Sequence, residues 1–282
     1  MKIQLESEML YHGLGGAADW RDEGIMNFLD KGVLLRVTDP GDTGVYSMLI
    51  PADSMETYER RGMDELGFDF SNIIPFLSNS NDLVQMEVVA EDNSVVKVIL
   101  TVGSREYTVP AVETQYINGS PDRVPELDYS FVADMEWDFV NSFIKDFHKI
   151  KDNGGGIYLS VQNGMMWLWA KDDDNEIKDF IHLEDMELSE LDYSSAYIND
   201  DIDLNPRESE EIHNLMGKDV LRSLSISTDR VRFHMDNYSP IKVVSEHDTG
   251  LKQSWIITPR IPKQDSYRKI PENVITRRNV IE

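Results

Sequence analysis

Short apolar runs separated by turn residues follow one another along the chain, and runs of this kind are typical of β-strands. In the first half they cover residues 24–29, 33–38 and 45–50, with a turn at 30–32 and an acidic Gly/Pro loop at 39–44. Their lengths and the turn residues between them predict three strands joined by short connections.

The second half repeats this arrangement. Apolar runs at 156–161, 165–170 and 177–183 are separated by a turn at 162–164 and an acidic loop at 171–175. A plan that occurs twice in the same order predicts two similar structural units in one chain.

Each half also contains two helix candidates and three further strands. In the first half we predict helices at 6–20 and 70–80 and strands at 83–88, 95–102 and 106–112. In the second half we predict helices at 136–151 and 208–216 and strands at 224–235, 241–245 and 253–261. The predicted class is therefore α+β, a duplicated fold with two similar domains per chain.

The helix candidates of the two halves differ in character. The segment 136–151 places its apolar side chains on one face, as an amphipathic helix does. The segment 6–20 contains Gly13, Gly15 and Gly16, each of which costs roughly 1 kcal/mol in a helix interior, and it has no Lys or Arg. We expect an irregular opening turn and little positive charge there.

The stretch between the halves has no clear period. Residues 113–128 include an Asn-Gly-Ser-Pro-Asp sequence and predict an exposed connector between a domain at 1–112 and a domain at 129–263. The pattern is lost beyond this point, so residues 264–282 are predicted to form a mobile tail.

The charge of the chain is strongly negative. Fifty-two acidic residues stand against 27 Lys and Arg, which gives a formal net charge of -25. Partial disorder is one interpretation, but the regular apolar runs argue against it. The other is a cytoplasm of molar salt, where the Debye length shrinks to about 3 Å and self-repulsion largely vanishes. The N-terminus lacks a signal-peptide core and no apolar stretch approaches a membrane span, so we expect a soluble intracellular protein.

Catalytic and metal-binding patterns are sparse. The absence of cysteine excludes disulfides, thiolate metal sites and a Cys nucleophile. There is no Walker loop, no nucleophile elbow and no His-x-x-x-His pair. The run Asp172-Asp173-Asp174 has oxygen ligands for a divalent cation, but a solvated hairpin loop explains it better. We predict no enzymatic activity, no cofactor and no metal, and a hydrolase with acidic catalytic residues is disfavoured because no site assembles.

Four stretches in register resemble one known family. They are Gly32 to Pro40, Met55 to Tyr58, Pro125 to Ser130 and Thr258 to Ile261. Their order and spacing agree with the proliferating cell nuclear antigen (PCNA) family of DNA sliding clamps from about Lys2 to Lys263. The loop Gly41-Asp42-Thr43 and the extension after Lys263 depart from the family pattern.

The resemblance implies a fold and a function. Family members form a homotrimeric ring of six similar domains, with helices lining the hole and sheets outside. The ring encircles duplex DNA, tethers DNA polymerase and other replication and repair enzymes, and is placed on DNA by a clamp loader. The acidic composition suits a halophilic archaeon or its virus, with the protein in the cytoplasm of that cell or host. The alternative is a clamp-fold processivity factor that acts as a monomer or dimer, which needs a continuous basic face.

The resemblance also implies roles for particular residues. The DNA-facing residues would be Lys145, Lys149, Lys151, Arg207 and Lys218. The pocket for the interacting peptides of partner proteins would be lined by Thr38, Val45, Tyr46, Tyr116, Ile117, Val124, Pro240, Ile256, Thr258, Pro259 and Ile261. The trimer interface would include Tyr107, Val109, Phe147, Ile150, Ile177 and Phe180.

Overall fold

The structure is a computed structural model of the 282-residue chain. It describes residues 1–77, 82–91, 94–124, 126–127, 129, 131–147, 156–162, 165–171, 176–182, 212–217, 228–236 and 239–258. Neither of the two α-helices in these ranges is long and apolar enough to cross a membrane.

Both halves begin with a strand that leads directly into a helix. The first half contains β1 (Lys2–Glu6), α1 (Ser7–Ala18), β2 (Glu23–Leu29), β3 (Gly32–Thr38), β4 (Gly44–Pro51), β5 (Thr57–Glu59), β6 (Glu65–Asp69), β7 (Leu83–Glu91), β8 (Ser94–Val102) and β9 (Arg105–Pro110). The second half contains β10 (Phe131–Glu136), α2 (Trp137–Phe147), β11 (Gly156–Gln162), β12 (Met165–Lys171), β13 (Glu176–His182), β14 (Ile212–Gly217), β15 (Arg230–Met235), β16 (Ile241–Glu246) and β17 (Lys252–Ile257).

Three antiparallel sheets show the duplication directly. Their strand orders are β5-β1-β7-β8-β9, β10-β15-β16-β17-β4-β3-β2-β6 and β13-β12-β11-β14. The order β1-β7-β8-β9 corresponds to β10-β15-β16-β17, and β6-β2-β3-β4 corresponds to β14-β11-β12-β13. The central sheet therefore joins four strands of each half at one strand pair, β4 with β17, and the predicted duplicated α+β fold is confirmed.

Two predicted helices are wrong. In the segment 70–80, the described residues 70–77 do not form an α-helix, because Pro75 has no N–H to donate; they make two 3₁₀ turns, Phe70–Asn72 and Ile74–Phe76. In the segment 208–216, the described residues from Ile212 onward are the strand β14, which pairs with β11. A short apolar run fits either period, and pairing with the edge of β11 decides for the strand.

Several boundaries also move. The predicted strand 106–112 ends at Pro110, after which Val112 makes a lone bridge to Gly67. Within 224–235 the described strand begins at Arg230, and the strand predicted at 253–261 ends at Ile257. Helix α1 is continuous from Ser7 to Ala18, against the expected irregular turn.

The glycines of α1 explain this continuity. A Cβ on Gly13 would lie 2.5 Å from Sδ of Met48, and one on Gly16 would lie 2.8 Å from the ring of Tyr46. Both glycines therefore let the helix lie directly on the central sheet. A Cβ on Gly15 would meet nothing within 4 Å, since that position faces away from the sheet.

A buried polar network holds α1 to both halves. The Tyr46 hydroxyl donates to the carbonyl of Gly13 at 2.7 Å. Gln253 on β17 donates from Nε2 to the Tyr46 hydroxyl at 2.9 Å and to the carbonyl of His12 at 3.2 Å. Tyr46 and Gln253 are almost fully buried, so these hydrogen bonds offset the cost of removing the hydroxyl and the amide nitrogen from water. The helix of the first half is thus anchored by a strand of the second.

Candidate docking edges and partner surface

In the part of the chain that the structure describes, the three sheets end in six edge strands, and two of these, β9 and β13, are the candidate docking edges. β9 ends the five-stranded sheet and pairs only with β8, while β13 ends the four-stranded sheet and pairs only with β12. A free edge presents unpaired N–H and C=O groups, which readily pair with another strand. Both edges therefore need a cover, which another chain can supply.

The two free edges are the counterparts of a pair that is already closed. In the duplicated plan β9 corresponds to β17, and β13 corresponds to β4. β17 and β4 pair antiparallel over six residues, from Lys252 opposite Leu49 to Ile257 opposite Gly44. We call this closed pair the seam. The same pairing geometry, applied between chains, would join β9 to β13.

The side chains of the free edges are partly apolar. On β9, Tyr107 is half-buried and stacks on Phe76 with ring centroids 4.2 Å apart. On β13, Phe180 is 41% exposed and its ring lies 4.9 Å from that of Trp167, while Ile177 is half-buried. These three predicted interface residues keep surface for another chain.

One predicted interface residue does not lie at the surface. Val109 is 3% exposed because it packs in the core of its own chain, so it has almost no surface left for a neighbour. The side chain of Phe147 and the whole of Ile150 lie outside the described residues.

The outer face of the central sheet brings distant segments together. Thr38 on β3 lies opposite Val45 on β4, Val45 lies opposite Ile256 on β17, and Ile256 lies opposite Lys242 on β16. Side chains in such cross-strand pairs are about 5 Å apart. We call Thr38, Val45, Ile256 and Lys242 the outer row. Three of its four residues were predicted to line the partner pocket.

Two more predicted residues flank the outer row. Ile241 pairs with Ile257, so Pro240, which precedes β16, and Thr258, which follows β17, come next to each other. The Thr258 N–H donates to the carbonyl of Thr43 at 2.8 Å, which fixes the end of β17 against β4. Three chain segments therefore lie side by side on this face, and their role as a partner pocket stays a prediction.

The connector passes beside this face and is pinned to it. The Thr38 N–H donates to the Gly119 carbonyl at 2.8 Å, and the Ser120 hydroxyl donates to the carbonyl of Arg36 at 3.0 Å. The Arg36 guanidinium in turn donates to the carbonyl of Asp122. Burial lowers the pKa of Arg36, opposed by the carboxylate of Asp122.

Tyr116 and Ile117, predicted as a pair that covers the pocket, point in different directions. Ile117 is 8% exposed. A Cβ on Gly67 would lie only 2.6 Å from the Cδ1 of Ile117, so this close contact requires glycine at position 67. Tyr116 is 68% exposed. Val124 is half-buried at the end of the connector.

Tyr46 is not part of the outer face, which corrects one prediction. Its neighbour Val45 points outward, and adjacent strand residues point to opposite faces, so Tyr46 points inward against α1. Burial raises its pKa. Pro259 and Ile261 lie outside the described residues.

Of the predicted DNA-facing residues, the structure describes Lys145. It is exposed on α2, away from the buried face formed by Val140, Phe143 and Ile144. Lys149, Lys151, Arg207 and Lys218 lie outside the described residues. On α1 the ionisable side chains include Glu8 and His12, with His12 Nε2 3.7 Å from a Glu8 carboxylate oxygen.

Two histidines that the sequence did not single out have perturbed pKa values. The pKa of His234 is lowered to about 4, mainly by burial and also by the cations Lys242 and Arg232, against the opposing effect of the Asp134 carboxylate. Burial also lowers the pKa of His247, whose ring stacks on His12 with centroids 5.3 Å apart. Neither forms a metal site: among the described residues no group of three His, Asp or Glu side chains is placed to hold a metal ion.

The sequence also missed Lys242 and Gln253. Both lie in alternating strands, where alternation alone indicates which face a residue occupies. Their neighbours depend on strand order and register, which only the fold provides.

Comparison with known proteins shows which proteins the chain resembles. No family model matches the chain. The DNA polymerase sliding clamp of Methanothrix thermoacetophila is 23% identical over 269 residues, which cover 94% of this chain and 100% of that protein. The DNA polymerase sliding clamp of Archaeoglobus fulgidus is 27% identical over 243 residues, 86% of this chain and 91% of that protein.

A solved structure shares the fold over nearly the whole chain. PCNA of A. fulgidus, determined with the C-terminal region of FEN-1 bound, matches with a TM-score of 0.76 at 22% identity, covering 93% of this chain and 99% of that one. This match establishes a clamp fold of two similar halves. The sequence matches to proteins named DNA polymerase sliding clamp, which extend over most of the chain, support a sliding clamp of the PCNA type.

Proposed function

We propose that this chain acts as a ring that encircles duplex DNA and tethers DNA polymerase and other replication and repair enzymes. The proposed activity is topological and non-enzymatic. One observation carries the proposal: the free edges β9 and β13 are the counterparts of the closed seam. The proposal keeps the domain division predicted from the sequence, 1–112 and 129–263, linked by a connector at 113–128.

Pairing of β13 with β9 of the next chain is a head-to-tail contact. Such contacts form a ring if the rotation closes and a filament if it does not. Three chains contribute six similar domains, the number that the family resemblance implies. At the seam, α1 lies over β17; by the same geometry, α2 would lie over β9 of the next chain and cover Tyr107.

Retention on DNA would depend mainly on ring closure. Helix α1 has no Lys or Arg, and the chain carries a net charge of -25, so long-range attraction to DNA is absent. Lys145, with Lys149 four residues on, would make the direct contacts from α2. If the Lys145→Glu, Lys149→Glu double variant still stimulates its polymerase fully, these residues do not carry the contact.

Partner proteins would dock on the outer row and the flanking connector. A peptide with apolar anchors fits this surface, because Val45 and Ile256 form an apolar centre with polar groups around it. A clamp loader would open and close the ring. The acidic composition favours action in the cytoplasm of a halophilic archaeon, or of the host cell if the protein is viral.

Light scattering in molar salt tests the ring. We expect a mass three times the 32.4 kDa of one chain. Phe180→Asp should reduce it to one chain, because a charge at the β13 edge would be buried without a partner. Leu83→Asp is the matched control, since Leu83 is 42% exposed on β7 and lies at neither free edge.

A wild-type protein that stays monomeric at micromolar concentration would overturn the ring and favour the monomeric alternative. A second measurement concerns topology. Protein loaded on nicked circular DNA should be lost when the circle is linearised, and retention on open linear DNA would contradict encirclement.

A further inference from the structure

The outer row ends in a cation whose surroundings differ from those of its neighbours. Lys242 is half-buried on β16, between His234 on β15 and Ile256 on β17. Its aliphatic stem can lie along Ile256 while its ammonium group reaches solvent. The row therefore runs from the connector, through the apolar pair Val45 and Ile256, to a positive charge.

Three other cations of this face are held by an oxygen of the same chain. Arg232 makes two hydrogen bonds to Asp134, at 2.9 and 3.1 Å. Lys252 contacts Glu246 at 3.0 Å, and Arg36 donates to the carbonyl of Asp122. Among the described residues, Lys242 has no carboxylate within 4 Å. It leaves one positive charge unbalanced beside the apolar pair.

The neighbouring histidine adds no charge of its own. His234 is neutral at neutral pH, since burial and the nearby cations lower its pKa to about 4. It therefore leaves the ammonium group as the local cation without providing an anion for it. In molar salt only charges in direct contact interact, so the overall negative charge of the chain does not repel an acidic ligand here.

We propose that Lys242 selects partner segments that carry a carboxylate next to the apolar anchor. This rests on the proposed function, because it takes the outer row as the docking surface. The occupant is an extended peptide of another protein, whose apolar side chains lie on Val45 and Ile256 and whose Asp or Glu contacts the Lys242 ammonium group. Charge complementarity with Lys242 at this end of the row favours a peptide with an acidic flank over a peptide with a basic flank.

Calorimetry with synthetic peptides tests the preference. The peptides share a Gln-x-x-Leu-x-x-Phe-Phe core and carry Asp, Asn or Lys at the positions that flank the aromatic pair. For the wild type we expect the Asp peptide to bind about threefold more tightly than the Asn peptide, the size of an exposed ion pair. Lys242→Gln should remove the difference, and Lys242→Glu should make the Lys peptide the tightest.

Two controls separate this proposal from the docking surface itself. Lys252→Glu changes the net charge by the same amount on the same face but at an already paired lysine, so it should keep the wild-type preference. Ile256→Asp should abolish binding of all three peptides. Equal binding of the three to wild type, with loss in Ile256→Asp, would overturn the role of Lys242 and leave the docking surface standing. Binding that Ile256→Asp does not weaken, or no binding at all, would overturn both.

Discussion

The seam and the free edges are two versions of one strand pair, and they differ in how they are completed. At the seam, β4 and β17 share a ladder, α1 lies against β4 through Gly13 and Gly16, and Gln253 of β17 donates to the His12 carbonyl of α1. At the free edges the equivalent strands carry half-buried and exposed apolar residues, with no strand beyond them in the described residues. The comparison shows how one packing arrangement holds the two halves together in one chain, and the proposed ring would repeat that arrangement between chains.

Truncation of the seam's central aromatic residue should have the largest effect on stability. Trp255 is fully buried, so Trp255→Ala should lower the free energy of unfolding by about 3–5 kcal/mol. Denaturant titration in high salt measures this. Tyr116→Ala removes an aromatic ring that is 68% exposed and should cost far less. Equal losses would mean that the seam is not where the two halves are held together.

The next effect should come from the close approach of α1. Gly16→Ala places a methyl group against the Tyr46 ring and should cost about 1–3 kcal/mol by overpacking. Gly15→Ala is the matched control, because its Cβ meets nothing and alanine is the better helix former by about 1 kcal/mol. The midpoint temperature of thermal unfolding should fall for Gly16→Ala and rise for Gly15→Ala. A stabilising Gly16→Ala would contradict the packing described.

Loss of the Tyr46 hydroxyl and its two hydrogen bonds in the buried network should have a moderate effect. Tyr46→Phe keeps the ring but removes the donor to Gly13 and the acceptor for Gln253, so we expect a loss of about 1 kcal/mol. Chemical denaturation gives the value. Tyr58→Phe, which removes a half-buried hydroxyl in the first half, serves as a comparison away from the seam. A Tyr46→Phe protein as stable as the wild type would show that the network does not anchor α1.

The smallest expected effect is a pH dependence of the free energy of unfolding, caused by His234. The folded-state pKa of His234 is lowered from 6.5 to about 4, so the folded form keeps this residue neutral and the unfolded form protonates first. The contribution of His234 to stability is therefore complete above pH 6.5 and is lost as the pH falls from 6.5 through about 4. Salt screening and partial exposure should limit it to less than about 1 kcal/mol.

Comparison with a neutral variant isolates this effect from that of the carboxylates. We would measure the unfolding free energies of wild type and His234→Gln from pH 7 to pH 4. As the pH falls, the wild type should lose more stability than the variant. A constant difference across this range would contradict the lowered pKa.

Much of the fold follows from alternation and turn residues. The runs at 33–38 and 45–50 are strands within a residue or two, because half-buried strands have a period of two and end at glycine or proline. The two helix predictions failed where a local signal was ambiguous: Pro75 removes a donor, and the run at Ile212 fits either period.

The partner surface was predictable only in part. Neighbouring strand residues cannot share a face, so Val45 and Tyr46 could have been separated from the sequence alone. The convergence of Thr38, Val45 and Ile256 came from the family resemblance, and the strand register is what places them side by side. The position of Lys242 next to Ile256 depends on long-range pairing, which no local pattern encodes.

The covalent link between the halves has a kinetic consequence. The two strands of the seam belong to one chain, so a broken seam is re-formed within the molecule, at an effective concentration that a short linker can raise to the millimolar range. A contact between β9 and β13 joins separate chains and has no such advantage. In a ring of these chains, transient opening would therefore take place at the β9–β13 contacts. Each chain would move as a rigid body, because its own seam stays closed.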